Sequence, residues 1–270
     1  MSHRQDTEYL ISAVEKALDI LETLGREAQG LSLAELASTV GFPKSSVFRY
    51  LVTLENRGYV ERGREDSQYK LGTRVFELGS AVIAQYNVRD LAMPFMRELR
   101  LKHGETTNLG VLNQGYVVYL EIVESMHSAR MAARVGSRDY AHSTALGKAM
   151  LAHLPEEEAK EIVEAVGLPS RTTATITSWP ALQEELTRVR AQGYAVDNGE
   201  NEAEPLARCI GVPIFDRHGL PVAALSISAL GERISLPQLQ AMAPDLKSAT
   251  SQISSELGYM LASVPRTHMG

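Results

Sequence analysis

The chain holds a single cysteine, Cys209, in 270 residues. No disulfide can form within it, and that usage fits a reducing compartment. Cysteine and histidine nowhere cluster at metal-ligand spacing, so a structural zinc site has no support and no metal or cofactor is expected. No run of about 18 or more apolar residues occurs, so no membrane span is predicted. The opening MSHRQDTEYL is polar and lacks the apolar core of a signal peptide, which predicts a cytoplasmic chain. Internal repeats and low-complexity segments are missing too. Positive charge is not in excess, since the formal net charge is −6. A hydrophobic content of 44% is ample for one large core or two ordinary ones.

What is present is concentrated in residues 32–60, SLAELASTVGFPKSSVFRYLVTLENRGYV. Leu33, Leu36 and Ala37 mark a short amphipathic helix, and Val40-Gly41-Phe42 a turn. A second helix opens at Pro43, with Val47, Tyr50, Leu51 and Leu54 at helical spacing. Ala37 is small where two helices cross closely, and Gly41 can supply the positive φ of a tight helix-to-helix turn. This is a helix-turn-helix pattern, whose second helix would enter the major groove of double-stranded DNA. Upstream, residues 10–25 form an amphipathic helix with Ile11, Val14, Leu18, Leu21 and Leu24 on one face and Gly25 as its stop. Ser32 and Glu35 make a partial capping box. Downstream, residues 59–62 and 68–71 read as two short strands around Gly63 to Ser67, a hairpin wing.

Charge read by segment agrees with this placement. Residues 42–74 carry 7 Lys/Arg against 4 Asp/Glu, a local +3, whereas residues 75–270 carry 17 against 22. Residues 73–87 predict a further helix, rich in apolar positions Val75, Phe76, Leu78, Val82 and Ile83. It packs on its own domain or joins two copies, and paired half-sites favour the second. Beyond Val88 strands and helices alternate. A helix is expected over 88–103, a hairpin turning at Asn113 to Gly115, and a strand in ARMAARV. Helices follow in TALGKAMLAHL, PEEEAKEIVEAVG and PALQEELTRVRAQG, and a strand begins at 194–197. A second hairpin turns at Asp216 to Gly219, and a long terminal helix covers 236–262. The fold class is α+β: a winged helix-turn-helix domain over 1–72, a linker helix over 73–87, a sensory domain over 88–264 and a tail over 265–270.

The blocks SSVFRYLVTLENRGYVER, AHSTALGKAMLA, GYAVDNGENE and RCIGVPIFDRHGLPVAALSIS, in this order, resemble the IclR family of bacterial transcriptional regulators. The resemblance covers nearly the whole chain. It implies a winged-helix domain, a linker helix and a GAF-like domain that binds a small organic-acid effector, assembled as a homodimer or homotetramer. AARVGSR paired with DNGENE is similar to sugar-acid regulators of the KdgR type, which implies 2-keto-3-deoxygluconate as effector. Aromatic acids or glyoxylate and pyruvate are the alternatives within the family, as is activation in place of repression.

Candidate DNA contacts are Lys44, Ser45, Ser46, Arg49 and Tyr50 on the second helix. Arg49 can fork onto guanine O6 and N7, the serines can meet phosphates or bases, and Lys44 suits phosphate. The plain alternative is two helix-starting serines and a solvated arginine. Arg62, Arg64 and Lys70 on the wing suit phosphate or the minor groove. Among candidate effector contacts, Ser226 and Ser228 alternate on one strand, so both hydroxyls share a face and want polar partners. The resemblance adds Asp197 and Cys209, and also Ala145 and Leu146, small and apolar at a helix start whose amides favour a carboxylate. Asp197 can equally brace the loop after it, and Cys209 reads as lining, not nucleophile. Met131 is a further lining candidate, with Arg130 and Arg134 as possible carboxylate partners. Lys148 has no paired acid or phosphate loop and makes a poor catalyst, and His142 reads as structural. A ligand-controlled regulator is the favoured reading. An enzyme lacks a nucleophile-base pair, and a purely architectural DNA module leaves Ser226 and Ser228 unexplained.

Overall fold

Apolar residues at helical and strand spacing close three hydrophobic clusters, one in residues 1–85 and two in residues 86–270, the two units into which the chain divides. The computed structural model describes residues 10–259 apart from 28, 64–66, 86–87, 130–132 and 204–205.

In the first unit, α1 (Ser12–Arg26), α2 (Leu33–Val40) and α3 (Lys44–Asn56) precede the hairpin β1 (Val60–Arg62) and β2 (Tyr69–Leu71) and the helix α4 (Thr73–Gln85). Ser32 and Glu35 cap α2 reciprocally: Glu35 N donates to Ser32 Oγ at 3.3 Å, and Ser32 N donates to Glu35 Oε2 at 2.9 Å. Gly41 ends the helix at φ 72°, its N–H donating to Ala37 O at 3.1 Å. That left-handed conformation lets the chain turn at once into α3. Ile20, Leu24, Leu36, Ala37, Val47, Leu51, Leu54, Val60 and Tyr69 form the core. Full burial of a side chain such as Leu36 or Leu51 stabilises by roughly 1.5–3 kcal/mol. Val60 to Arg62 pair antiparallel with Leu71 to Tyr69.

Two expectations need correction in this unit, and one contact is additional. Helix α1 runs through Gly25 to Arg26. Its buried residues are Ile20 and Leu24, with Leu21 beside them, while Ile11, Val14 and Leu18 are exposed. One turn of apolar face, not three, meets the core. Leu31 adds a bridge to the wing, exchanging backbone hydrogen bonds with Tyr69 at 2.8 and 3.0 Å. A single-residue bridge carries no periodicity.

The second unit is a six-stranded antiparallel sheet in the order β5-β4-β3-β8-β7-β6. Its strands are β3 (Thr106–Asn113), β4 (Tyr116–Val123), β5 (Arg138–Tyr140), β6 (Ala195–Ala203), β7 (Leu206–Phe215) and β8 (Pro221–Leu230). One face carries Leu109, Val111, Ile210, Val212, Ile214, Leu225 and Ile227 against α5 (Val88–His103), α9 (Leu236–Gln240) and α10 (Ala243–Glu256). The other packs on α6 (Ala145–Leu151), α7 (Glu156–Val166) and α8 (Trp179–Gln192). Pro94 lies inside α5, where it removes a helix bond at a cost of about 3 kcal/mol. Burial of Val88, Ala92, Met96 and Leu99 outweighs that loss.

Two elements differ from expectation. In ARMAARV, residues 130–132 lie outside the described residues, and Ala133 to Val135 form no strand. Gly136 at φ 84° turns the chain there, and the edge strand is β5, with Tyr140, Asp139 and Arg138 opposite Tyr116, Val117 and Val118. The terminal helix is broken into α9 and α10, because Pro244 cannot continue a helix from α9 and instead starts α10. It ends at Glu256.

Helix α6 approaches β7, and also the turn at Ala141 just before it, so closely that each contact requires a glycine. A Cβ on Gly147 would lie 2.2 Å from Ala141 O, and one on Gly211 would lie 2.6 Å from Ala145 O. Lys148, fully buried on the same helix, places Nζ 2.5 Å from Glu200 Oε1 and 3.4 Å from Glu185 Oε1. This cluster ties α6 to α8 and β6. Loss of one member of a buried ion cluster strands the remaining charges, so Lys148→Ala is expected to cost about 3–5 kcal/mol. Gly147→Ala is expected to cost about 1–3 kcal/mol or more through overpacking. Urea unfolding midpoints of both variants check these values; a shift below about 0.5 kcal/mol in either would refute the corresponding contact.

Candidate functional site

Two surfaces collect the candidate residues. On the first unit, Lys44, Ser45 and Arg49 are exposed at the N-terminal end of α3. Ser46 and Tyr50 are half-buried and, with Arg49, Thr53 and Ala13 of α1, line a surface recess. Tyr50 also packs against the core, so it divides its surface between interior and solvent. On the wing, Arg62 holds its guanidinium 5.5 Å from the centre of the Tyr69 ring, and Lys70 is exposed on β2. Arg64 lies outside the described residues. The arrangement places basic and hydroxyl groups along one helix end and its following hairpin, as phosphate and base-edge contacts require.

In the second unit a cavity of about 180 Å³ opens between the sheet and the start of α6. On the same measure a single water needs about 10–15 Å³. Ala145, Leu146, Asp197, Cys209, Ser226 and Ser228 all line it. Met131 and Arg130 lie outside the described residues. Arg134 is exposed and is not among the lining residues. Strand alternation explains the grouping. On β8, Leu225 and Ile227 enter the core under α5 and α10, which turns Ser226 and Ser228 to the α6 side. On β7, Ile210 and Val212 do the same for Cys209.

The cavity holds residues that the sequence reading missed. Asn108 on β3 lies opposite Ser226, and its Nδ2 donates to Ser226 Oγ at 3.1 Å and Ser228 Oγ at 2.9 Å. The Ser226 hydroxyl hydrogen thus remains available to other acceptors, while the Ser228 hydroxyl also meets the Cys209 thiol. Asn108 Oδ1 is buried without a hydrogen-bond partner among the described residues. Arg138 is the described guanidinium in the wall, where Arg134 is not, and lies 5.2 Å from the Tyr116 ring centre. Tyr119 donates its hydroxyl to Asp139 Oδ2 at 3.0 Å. Asn108 follows Glu105, Thr106 and Thr107 at the polar start of β3, so it lacked the contrast with apolar neighbours that singled out the serines. Arg138 carried no such signal, since its place depends on the turn at Gly136.

Asp197 faces the cavity and also braces the chain that follows it. It lines the cavity, and its Oδ1 accepts from Glu200 N at 2.7 Å and Asn201 N at 3.4 Å, bracing the loop. Burial, with Glu200 nearby, pushes its carboxyl up to about 7. Burial also raises the Cys209 thiol far above its ordinary value, which keeps it protonated and unreactive. Thr144 Oγ1 accepts from Gly147 N at 3.1 Å and so caps the seven-residue α6 itself. Ala145 and Leu146 line the cavity at the helix start expected of them, with the Gly147 amide already taken by Thr144. His142 is buried, its Nε2 3.2 Å from Pro169 O, and burial lowers its pKa, as suits a neutral structural histidine. Among the described residues no group of three or more His, Cys, Asp or Glu side chains is placed to hold a metal. No described helix is long and apolar enough to cross a membrane.

Comparison with known proteins now has a geometry to meet. Residues 13–64 match the IclR helix-turn-helix domain, and residues 80–255 match the bacterial transcriptional regulator IclR C-terminal domain. The chain is 41% identical over 249 residues to the HTH-type transcriptional regulator KdgR of Escherichia coli K12, covering 92% of this chain and 94% of that one. It is 33% identical over 227 residues to the transcriptional repressor IclR of the same organism, covering 83% of this chain and 82% of that one. The crystal structure of Thermotoga maritima IclR superposes with a TM-score of 0.74 at 36% identity, covering 91% of this chain and 98% of that one. These relatives are regulators, not enzymes. With both domain matches in chain order and a two-fifths-identical relative along nearly its whole length, the chain belongs to the IclR family of transcriptional regulators.

Proposed function

We propose that this protein is a cytoplasmic repressor of a catabolic operon, released from its operator by a sugar acid such as 2-keto-3-deoxygluconate bound in the α6 cavity. The observation that carries the reading is the polar array Asn108–Ser226–Ser228 facing into the same cavity as Asp197. Two hydroxyls, one unpaired amide oxygen and a carboxyl group suit a ligand rich in hydroxyls. Arg138 supplies the charge for its carboxylate. The apolar part of the wall comes from Ala133, Ala145, Leu146 and Ala207, with the ring of Tyr119 beside them. An aromatic acid would leave the array unpaired, and each buried polar group left so costs about 1–3 kcal/mol. The named repressor among the relatives supports repression, and the KdgR relative supports the sugar-acid branch.

Exposed Phe76 and Leu78 on α4, with Ile11 just before α1 and Val14 and Leu18 on it, offer apolar surface that a second copy would bury. A homodimer, or a homotetramer built from two, supplies the paired recognition helices that an operator of two half-sites requires. Effector and operator are then coupled sites, typically by 1–3 kcal/mol, or about 5–150-fold in affinity.

Calorimetric titration with 2-keto-3-deoxygluconate, and with pyruvate, glyoxylate and 4-hydroxybenzoate as controls, tests the assignment. Saturable binding of the sugar acid is expected, weakened about 10–100-fold by the double change Ser226→Ala and Ser228→Ala, which removes two hydrogen-bonding groups. Binding only of an aromatic or two- to three-carbon acid discards the sugar acid and keeps the regulator. Sugar-acid binding untouched by the double change moves the ligand out of this cavity. At fixed salt, saturating effector is expected to weaken operator binding by about 5–150-fold.

Asp197 predicts a pH dependence. Its folded value of about 7 lies above the unfolded carboxylate value near 3.9, so between them the native state holds a proton that the unfolded state has released. Its contribution to stability therefore falls as pH rises from about 4 to 7 and is constant above. Asp197→Asn keeps the acceptor oxygen and never ionises. Its unfolding free energy relative to wild type is expected to rise through that window, by at most about 1.4 kcal/mol per pH unit. Urea unfolding at pH 4, 6 and 8 reads it; a difference that stays flat would place Asp197 in its ordinary ionised state.

A further inference from the structure

The outer face of α3 carries two apolar side chains that neither the core nor the phosphate and base-edge contacts explain. Val47, Leu51 and Leu54 turn inward. Ser45, Phe48, Arg49 and Val52 follow the i, i+3, i+4, i+7 spacing of a single stripe on the opposite side, and all four are exposed. Phe48 is 47% exposed and Val52 39%. The polar members, Ser45 and Arg49, suit phosphate oxygens and the acceptor and donor atoms of base edges. A phenyl ring and an isopropyl group suit neither. The major groove offers such side chains one apolar target, the C5-methyl group of thymine. Cytosine in its place lacks the methyl and presents an N4 amino donor, which an apolar neighbour would desolvate without a partner.

We infer that Phe48, with Val52 one turn further along α3, reads thymine methyl groups in the major groove and makes this stripe a thymine-specificity element of the operator interface. The inference rests on α3 being the DNA-reading helix. Four residues of helix advance about 6 Å, and successive bases on a strand rise about 3.4 Å. The two side chains thus reach thymines within about two base-pair steps of each other in one half-site. Ser45 and Arg49 fix the helix on the duplex and read polar edges, while Phe48 and Val52 discriminate between pyrimidines that differ by a methyl group.

The test uses the full-length protein. A binding site is first selected from random-sequence duplex DNA. The selected duplex is then resynthesised with deoxyuridine replacing each thymidine singly, which removes only the methyl. Fluorescence anisotropy at one salt concentration gives the affinities of wild type, Phe48→Ala, Val52→Ala, Phe48→Leu and Arg49→Ala. Loss of one buried methyl is expected to weaken wild-type binding about fourfold at one or two thymine positions per half-site. Phe48→Ala should bind the thymine and uracil forms of its position equally, Val52→Ala should do the same at its own, and Phe48→Leu should keep part of the discrimination. The salt dependence of Phe48→Ala should match wild type, since no phosphate contact is lost. Thermal melts confirm that the variants are folded.

Uniform affinity of wild type for every uracil-substituted site overturns the inference, as does unchanged discrimination in Phe48→Ala. A Phe48→Ala variant that keeps the discrimination but changes oligomeric state assigns the stripe to a contact between copies. If Arg49→Ala weakens binding while no methyl matters, the DNA-reading role of α3 survives and only the thymine reading falls. If wild type selects no sequence, both fall.

Discussion

The close seating of α6 on the sheet is the constraint on which the sensory unit depends. Gly211 removes the side chain that would hold α6 and β7 apart, and Gly147 lets α6 close against the turn at Ala141 that precedes it. Lys148 then lies fully buried against Glu200 and Glu185. A charge this deep is tolerated only with its partners in place, so helix, β6 and α8 must assemble together. The same seating brings Ala145 and Leu146 over the polar edge of the sheet and closes one wall of the cavity.

Beneath that wall the chemistry is set by strand alternation. Apolar residues of β3, β7 and β8 fill the core under α5 and α10, and their neighbours in sequence face α6. Three of those neighbours, Asn108, Ser226 and Ser228, form one hydrogen-bonded group with an acceptor left over. Glu200 links this wall to the ion cluster: its amide donates to Asp197 while its carboxylate holds Lys148. A ligand that reorders the cavity therefore touches groups that also secure α6, which gives effector binding a physical route into the packing of the domain.

Much of this was legible in the chain, for identifiable reasons. The helix-turn-helix could be read because Ser32, Glu35, Ala37 and Gly41 each answer a local requirement within a few residues: a cap, a close crossing or a positive φ. The serines of β8 could be read because alternation is a local property of a strand. Where local signals conflicted with packing, the reading failed. The apolar face of α1 runs past the part of the helix that meets the core, so periodicity overstated its burial. Periodicity across 236–262 ran over Pro244, which breaks it into α9 and α10. Arg138 stands in the cavity wall in place of Arg134 because one turn at Gly136 sets which of the two arrives there.

The sequence by itself determined most of the order of elements, a local basic bias over residues 42–74 ahead of an acidic second segment, and the shared face of Ser226 and Ser228; the family resemblance added Asp197, Cys209, Ala145 and Leu146. Only the tertiary structure decided that Asn108 meets Ser226 and Ser228 across strands more than a hundred residues apart. It also decided that Lys148 is a buried tie, and that Phe48 and Val52 stand exposed beside Arg49. Spacing along a chain reports which face a residue shares with its neighbours in the same element. Register between strands, depth of burial and the partner across a gap are set by how elements pack, and no local pattern encodes them.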